Sequence, residues 1–258
     1  MIKILVHYSR ILSKGFSNNK GAFMSIFSKR KKSLDPVVVA TPNFHVLRVK
    51  ADYTKATEEI LNLGLSGHHD PQKNWDLWLS INSALTLSKK SNLLDAGSGS
   101  KAVFANSMAE LGYKNSYACD LQRAKGKKII SSIQDISKTN YGSGFFDFVA
   151  CHSVIEHGVN LENFLGEMHR ITKAGGVLAV STDFWPTYED HSDKFPYGDE
   201  NSPMMLFDNE TIKTFLRIAE KAGWNVPLFT DVSDLKQRPV YWPRMDSSFT
   251  FIWLTLVK

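Results

Sequence analysis

Hydrophobic and polar positions change period along the chain, and each change marks an element. Residues 54–63 alternate in a helical manner and are followed by a Gly/His/Asp/Pro break at 67–71. Trp75, Trp78, Leu79 and Ile81 then recur at spacings that predict one buried helical face. From Asn92 the string NLLDAGSGS is a short apolar run ending in a glycine turn, and Val103, Phe104, Met108 and Leu111 predict a helix over 101–111. Further apolar runs predict strands at 116–119, 128–132, 146–151 and 177–182, with a helix at 161–172 between the last two. Strands alternating with helices predict a parallel sheet with right-handed crossovers. A polar and aromatic stretch runs from Trp185 to Phe207, followed by a helix over 209–222 stopped by Gly223. Two final strand candidates, 226–231 and 248–257, have a linker too short and too Pro-rich (Pro239, Pro243) for a crossover helix, which predicts an antiparallel closing pair.

Composition narrows the class without changing this picture. The chain has 258 residues, 43% hydrophobic and 22% charged, the balance of an ordinary globular protein. Its net charge of +5 is unevenly placed, because eight lysines and arginines precede the first acid, Asp35. Without them 23 basic residues face 26 acidic ones, the reverse of a nucleic-acid-binding surface. Residues 1–34 therefore read as a basic tail, either translated from an upstream start with Met24 opening the natural product, or a targeting segment. Residues 35–90 read as an N-terminal helical cap and 91–258 as the main domain. Cys119 and Cys151 have no paired spacing, so no disulfide framework or cysteine metal site is expected, and a reducing, cytoplasmic setting fits. The longest apolar run, 251–257, is far short of the ~20 residues that span a bilayer, so no membrane span is expected.

The local chemistry centres on Asp95-Ala96-Gly97-Ser98-Gly99-Ser100. Glycines allow positive φ and close approach of a ligand to the main chain, and the following helix presents free N–H groups. Asp120 closes the next strand at the distance where a carboxylate meets ribose hydroxyls in such folds. Dinucleotides and S-adenosylmethionine share that chemistry, and Gly97, Gly99 and Ala102 also match a GxGxxA dinucleotide fingerprint.

Taken in order, LLDAGSGS, YACDLQ, SIQDIS, FFDFVACHSVIEHG, LGEMHRITKAGGVLAVST and FLRIAEKAGW resemble the motifs of class I S-adenosylmethionine-dependent methyltransferases, particularly the type 11 group. The resemblance covers about 92–225, and DPQKNWDLWLS, which is similar to the entry helix of such enzymes found beside sugar or polysaccharide genes, extends it to about residue 70. It implies a Rossmann-like α/β fold: a mostly parallel sheet, an antiparallel C-terminal strand and helices on both faces. It implies S-adenosyl-L-methionine as cofactor, with Asp95, Gly97, Ser98 and Gly99 at its amino-acid end. Asp120 with Leu121 would hold the ribose, and Asp135 with Ile136 the adenine. Ser100 stands where the family has a third glycine, which makes the turn less permissive.

Cys151, His152 and Ser153 should sit at the sheet's C-terminal edge, where open α/β sheets bind ligands, with Glu156 and His157 one turn further on a short helix. A hydroxyl acceptor must lose a proton, and imidazole titrates near neutrality, so His152 and His157 are candidate bases. His152 can equally pack on the cofactor, and Glu156-His157 can equally shape its loop. The stretch 185–207 mixes Trp185, Tyr188, Phe195 and Tyr197 with Glu189, Asp190, His191 and Asp193, as expected of a lid over a small polar acceptor. Its acids match no metal signature, so no metal is expected. The expected reaction is methyl transfer to an oxygen or nitrogen of that acceptor, and the resemblance points to sugars or polysaccharide precursors as its class. The alternatives are an NAD(P)-dependent oxidoreductase, which leaves Asp135 and the closing strands unexplained, and a non-catalytic cofactor-binding module. Nucleic acid is not an expected partner, since CHSV stands where base-flipping enzymes carry a DPPY-like tetrad.

Overall fold

The structure is a computed structural model that describes residues 41–195, 198 and 203–258, all within one compact unit spanning 37–258. The basic tail and the apolar positions 37–39 lie outside the described residues. Strand β1 (Asn43–Val46) leads into helix α1 (Lys50–Asn62), a 3-10 turn (Pro71–Lys73) and helix α2 (Asn74–Ala84). Then come β2 (Asn92–Ala96), α3 (Val103–Glu110), β3 (Asn115–Asp120), β4 (Ile130–Ile133), β5 (Phe146–His152), α4 (Leu161–Ile171) and β6 (Thr172–Phe184). Helix α5 (Asn209–Lys221), β7 (Val240–Trp242) and β8 (Ser247–Val257) close the chain.

The sheet order is β4, β3, β2, β5, β6, β8, β1, with β7 pairing the start of β8. Strands β2 to β6 are parallel to their neighbours, and β8 runs antiparallel between β6 and β1. The chain winds outward from β2 through β3 to β4 and then returns to β5 on the other side. This reversal between β2 and β5 is the topological switch point, where the crevice beyond the strand ends is open to a ligand.

Successive residues of a strand face opposite sides, so each central strand feeds two cores. Leu94, Val149, Leu178 and Leu254 pack with Phe164, Met168 and Phe215 of α4 and α5. Leu93, Phe148, Val177 and Trp253 pack with Ile60, Ile81, Phe104 and Met108 of α1, α2 and α3. Helices thus cover both faces, as the resemblance implies. Two of them start at side-chain caps: Asn163 N–H donates to Asn160 Oδ1 (3.0 Å) and Thr211 N–H to Asp208 Oδ1 (2.7 Å).

The end of the sheet departs from expectation. Residues 226–231 do not form a strand; only Asn225 bridges to Val257. The edge beside β8 is taken instead by β1, whose Asn43–Val46 pairs with Thr255 back to Ile252. Strand β8 does close the fold antiparallel as predicted, but its partners are β6, the short β7 at its start, and an N-terminal strand that the pattern did not reveal.

Candidate functional site

The glycine turn is built by β2 and β3 together. The N–H groups of Gly97 and Ser98 both donate to Cys119 O, at 2.9 and 3.1 Å. Gly97 has φ +69°, and a Cβ there would lie 2.6 Å from Val154 Cγ2, so only glycine fits. Ser100 does not take the left-handed conformation; the positive φ falls on Ala102 (+41°), directly before α3. Asp120 Oδ2 accepts from Gly99 N–H (2.9 Å) and Oδ1 from Gln122 N–H (3.0 Å), which aims the carboxylate across the turn. Asp95 is buried; its Oδ2 accepts from Ala105 N–H (3.1 Å), and burial pushes its pKa up to about 7.

Two cavities meet at Gly97. One, of about 460 Å³, is lined by Asp120, Leu121, Asp135, Ile136, Val154 and His157 among others. Leu121 is 78% exposed at its rim, an apolar side chain left for a ligand to cover. The second, of about 240 Å³, is lined by Asp95, Gly97, Ser98 and Gly99 on one side and by His68, Lys73, Asp76, His152 and Ser153 on the other. A nucleoside carrying an amino-acid arm fits this pair: carboxylates for ribose and adenine on one side of Gly97, the turn and a charged cavity on the other. The cofactor-binding candidates inferred from the sequence therefore line the two cavities.

At the ends of β5 and β6 the fold gathers a buried ionic cluster. Lys73 Nζ donates to Ser153 Oγ, lies 3.9 Å from Asp183 Oδ1 and sits 4.0 Å from the centroid of the Phe251 ring. Glu156 is 1% exposed; its Oε2 accepts from Thr182 Oγ1 (3.2 Å) and its Oε1 has no hydrogen-bond partner. Burial raises the Glu156 pKa and, with Glu156 alongside, pushes that of Asp183 up to about 8. Lys73, with Asp183, Asp76 and Glu156 around it, keeps its charge despite burial, its pKa being raised. Ser153 takes φ +50°, a strained conformation at the mouth of the cavity.

His152 is anchored from behind. Trp253 Nε1–H donates to Ser80 Oγ (3.0 Å), and the same hydroxyl is hydrogen-bonded to His152 Nε2 (2.7 Å). Burial lowers the His152 pKa and favours the neutral ring. His157 lines the larger cavity; burial lowers its pKa against the pull of Asp183.

The sequence reading placed Ser153 at this edge but missed Lys73, Asp183, His68 and Asp76 as site residues. The signal lay in DPQKNWDLWLS, read as an entry helix, and in the acid at the end of STDF. In the stretch after β6, Trp185 lies under the Arg238 guanidinium (3.9 Å), which also pairs with the Glu189 carboxylate. Phe207 N–H donates to Asp183 O (3.0 Å) and Trp185 N–H to Phe207 O (2.9 Å), closing the loop's base. Tyr197 lies outside the described residues.

The sequence model of the family described as "Methyltransferase domain" matches residues 68–227, well over half of the chain. The chain belongs to the methyltransferase family. No curated protein sequence matches it. Among solved structures, this methyltransferase resembles a protein described as a methyltransferase from Bacillus halodurans, at 18% identity and TM-score 0.53, over 71% of this chain and 98% of that one. It resembles phosphoethanolamine N-methyltransferase 2 of Haemonchus contortus, solved with S-adenosyl-L-methionine, at 14% identity and TM-score 0.53, over 81% and 57%. The [4+2]-cyclase SpnF is equally similar, at 15% identity and TM-score 0.53, over 81% and 97%. At these identities the likeness shows the fold alone, and the cyclase illustrates how one fold hosts different reactions. The methyltransferase is of the class I type, and its cofactor is S-adenosylmethionine. No described helix is long and apolar enough to cross a membrane.

Proposed function

We propose that this methyltransferase methylates an oxygen or nitrogen of a small polar acceptor, with sugars and polysaccharide precursors the first class to screen, held between the lid and the ends of β5 and β6. The observation that carries this reading is the buried cluster of Lys73, Ser153, Glu156 and Asp183 beside the cofactor cavities. S-adenosylmethionine supplies an electrophilic methyl group when bound. The chain's own part is to orient the acceptor and to take its proton, the two tasks that methyl transfer to a hydroxyl or amine requires.

Lys73 and Ser153 face the smaller cavity and hydrogen-bond the acceptor heteroatom. Behind them lie the buried acids Asp183 and Glu156, both raised in pKa, and Asp183 in its ionised form takes the proton that the acceptor loses. This assigns the proton acceptor to the acid pair rather than to His152, whose Nε2 is engaged by Ser80. Glu156 keeps a role in the chemistry; His157 and His152 shape the walls. The aromatic lid residues Trp185 and Tyr188, beside the acids Glu189 and Asp190, suit a ring-bearing polar ligand.

The test begins with calorimetric titration of S-adenosylhomocysteine and, separately, NAD, into the wild type and Asp120→Ala. Binding of S-adenosylhomocysteine that Asp120→Ala abolishes supports the reading; a following acceptor screen then monitors S-adenosylhomocysteine release. NAD binding alone would favour an oxidoreductase, and cofactor binding without turnover on any acceptor a non-catalytic module.

A further inference from the structure

Away from the ionic cluster, one face of the molecule carries charge of a single sign. The loop between β3 and β4 together with β4, residues 121–134, holds Arg123, Lys125, Lys127 and Lys128 and no acid, and all four cations are exposed. Lys101, also exposed, joins them: the Asn106 amide of α3 donates to both Lys101 O (2.8 Å) and Lys125 O (2.9 Å). The flanking acids are engaged elsewhere. Asp120 accepts from the Gly99 and Gln122 N–H groups, Asp135 lines the larger cavity, and Glu110 stands at the far end of α3 from Lys101. Among the described residues none of the five cations forms an ion pair.

The backbone that carries these charges is pressed onto the fold. Ala124 is buried with Ala102, Ala105 and Ala118, and Lys125 N–H donates to Ser100 O (2.8 Å). Gly126 packs so closely on Asn106 that a Cβ would overlap its side-chain oxygen. Directly after the cations, β4 forms an edge of the sheet and exposes two aliphatic side chains, Ile130 (48%) and Ile133 (57%). Like charges gathered on one surface repel one another, and exposed aliphatic groups beside them are left in water. The combination suits a partner that offers anions and an apolar phase together.

We propose that this face, formed by Lys101, the loop between β3 and β4, and β4 itself, docks peripherally on an anionic phospholipid bilayer. The cations lie among the headgroup phosphates, and Ile130 and Ile133 enter the boundary with the acyl chains. Other occupants fit less well. Single-stranded nucleic acid is held by aromatic side chains that stack on bases, and residues 121–134 contain none. A second copy meeting the face across a two-fold axis would set the same cations against each other. The docking is independent of the acceptor reading: it concerns where the enzyme works, not what it methylates.

The experiment is co-sedimentation of the full chain with vesicles of phosphatidylcholine alone and of phosphatidylcholine and phosphatidylserine in equal parts. The wild type binds the mixed vesicles, less so as salt rises, and leaves the neutral ones unbound. With Lys125→Ala, Lys127→Ala and Lys128→Ala combined, affinity for the mixed vesicles falls by about a hundredfold, as loss of three such cations requires. Lys50→Ala, Lys55→Ala and Lys221→Ala combined remove the same charge from exposed positions on α1 and α5 and leave the affinity within about threefold. The basic tail is common to all these proteins, so its contribution cancels. Ile130→Ser with Ile133→Ser lowers affinity by about tenfold and keeps the salt dependence. Urea midpoints check that each variant folds; the lysine variants alter exposed side chains only and report even where the isoleucine variant is destabilised. Equal losses in the two lysine variants, no loss in the Lys125, Lys127 and Lys128 variant or in a folded isoleucine variant, or a wild type that ignores the mixed vesicles overturns the proposal. Binding of a single-stranded oligonucleotide in place of vesicles, lost with Lys125, Lys127 and Lys128, would assign the face to nucleic acid instead.

Discussion

Replacing Asp95 with Asn should make the protein more stable and its cofactor site weaker, and the size of the trade follows from burial. The Asp95 carboxyl is raised from 3.8 to about 7, with burial the largest cause, the N–H groups of Ala105 and Phe104 acting against it and Asp120 adding to it. A group whose folded pKa lies above its unfolded value binds more protons folded than unfolded, so its contribution to stability falls as pH rises between the two values. At about 1.4 kcal/mol per pKa unit, the ionised side chain costs the fold about 4 kcal/mol at pH 8, above both values. At pH 5 the folded carboxyl is protonated and the cost shrinks to about 1.6 kcal/mol. Asparagine is nearly isosteric, carries no charge and keeps an oxygen for Ala105 N–H, although the bond loses its charge assistance, worth about 1 kcal/mol. Urea unfolding of both proteins should therefore show Asp95→Asn more stable by about 3 kcal/mol at pH 8, with the advantage reduced by about 2–3 kcal/mol at pH 5. Titrations shared by the two proteins cancel in this difference. An Asp95→Asn protein less stable than the wild type at pH 8, or an advantage independent of pH, would refute the reasoning. S-adenosylhomocysteine affinity should drop in the variant and, in the wild type, should rise with pH through about 7 as Asp95 ionises.

Other positions give independent checks. Gly97→Ala combines a φ of +69° with a Cβ 2.6 Å from Val154 Cγ2, so it should lower stability by about 2–4 kcal/mol in urea melts; an unchanged midpoint would contradict the close packing. Ser80→Ala removes the acceptor of the Trp253 indole N–H and the hydrogen-bond partner of His152 Nε2, leaving a buried N–H without a partner, at a cost of about 1–3 kcal/mol that Ser80→Thr should partly recover. For Asp183→Asn, once an acceptor is found, kcat should fall by about 10²–10⁴ with S-adenosylhomocysteine affinity kept. Its pH profile should also lose the rise that the wild type shows as Asp183 ionises near pH 8; a profile of unaltered shape would remove Asp183 from the proton path.

What the sequence by itself determined is what local chemistry dictates. The run into Gly97 and Gly99 demands a turn because positive φ and the approach of Val154 tolerate nothing larger, and Asp120 follows at the next strand end because strand and helix lengths set the spacing. Period-two and helical patterning also determined the parallel core, since each side chain's face depends only on its neighbours along the chain. Tertiary structure alone decided which strand fills the edge beside β8. An edge offers hydrogen bonds to any extended segment, and Asn43–Val46 docks there although residues 226–231 show the stronger pattern. It also decided the ionic cluster, because Lys73, Ser153 and Asp183 are distant in sequence and meet only when the start of α2 lands on the ends of β5 and β6. The raised pKa values of Asp95, Glu156 and Asp183 belong to the same category: no residue type implies them, and they arise when folding removes water from around an acid.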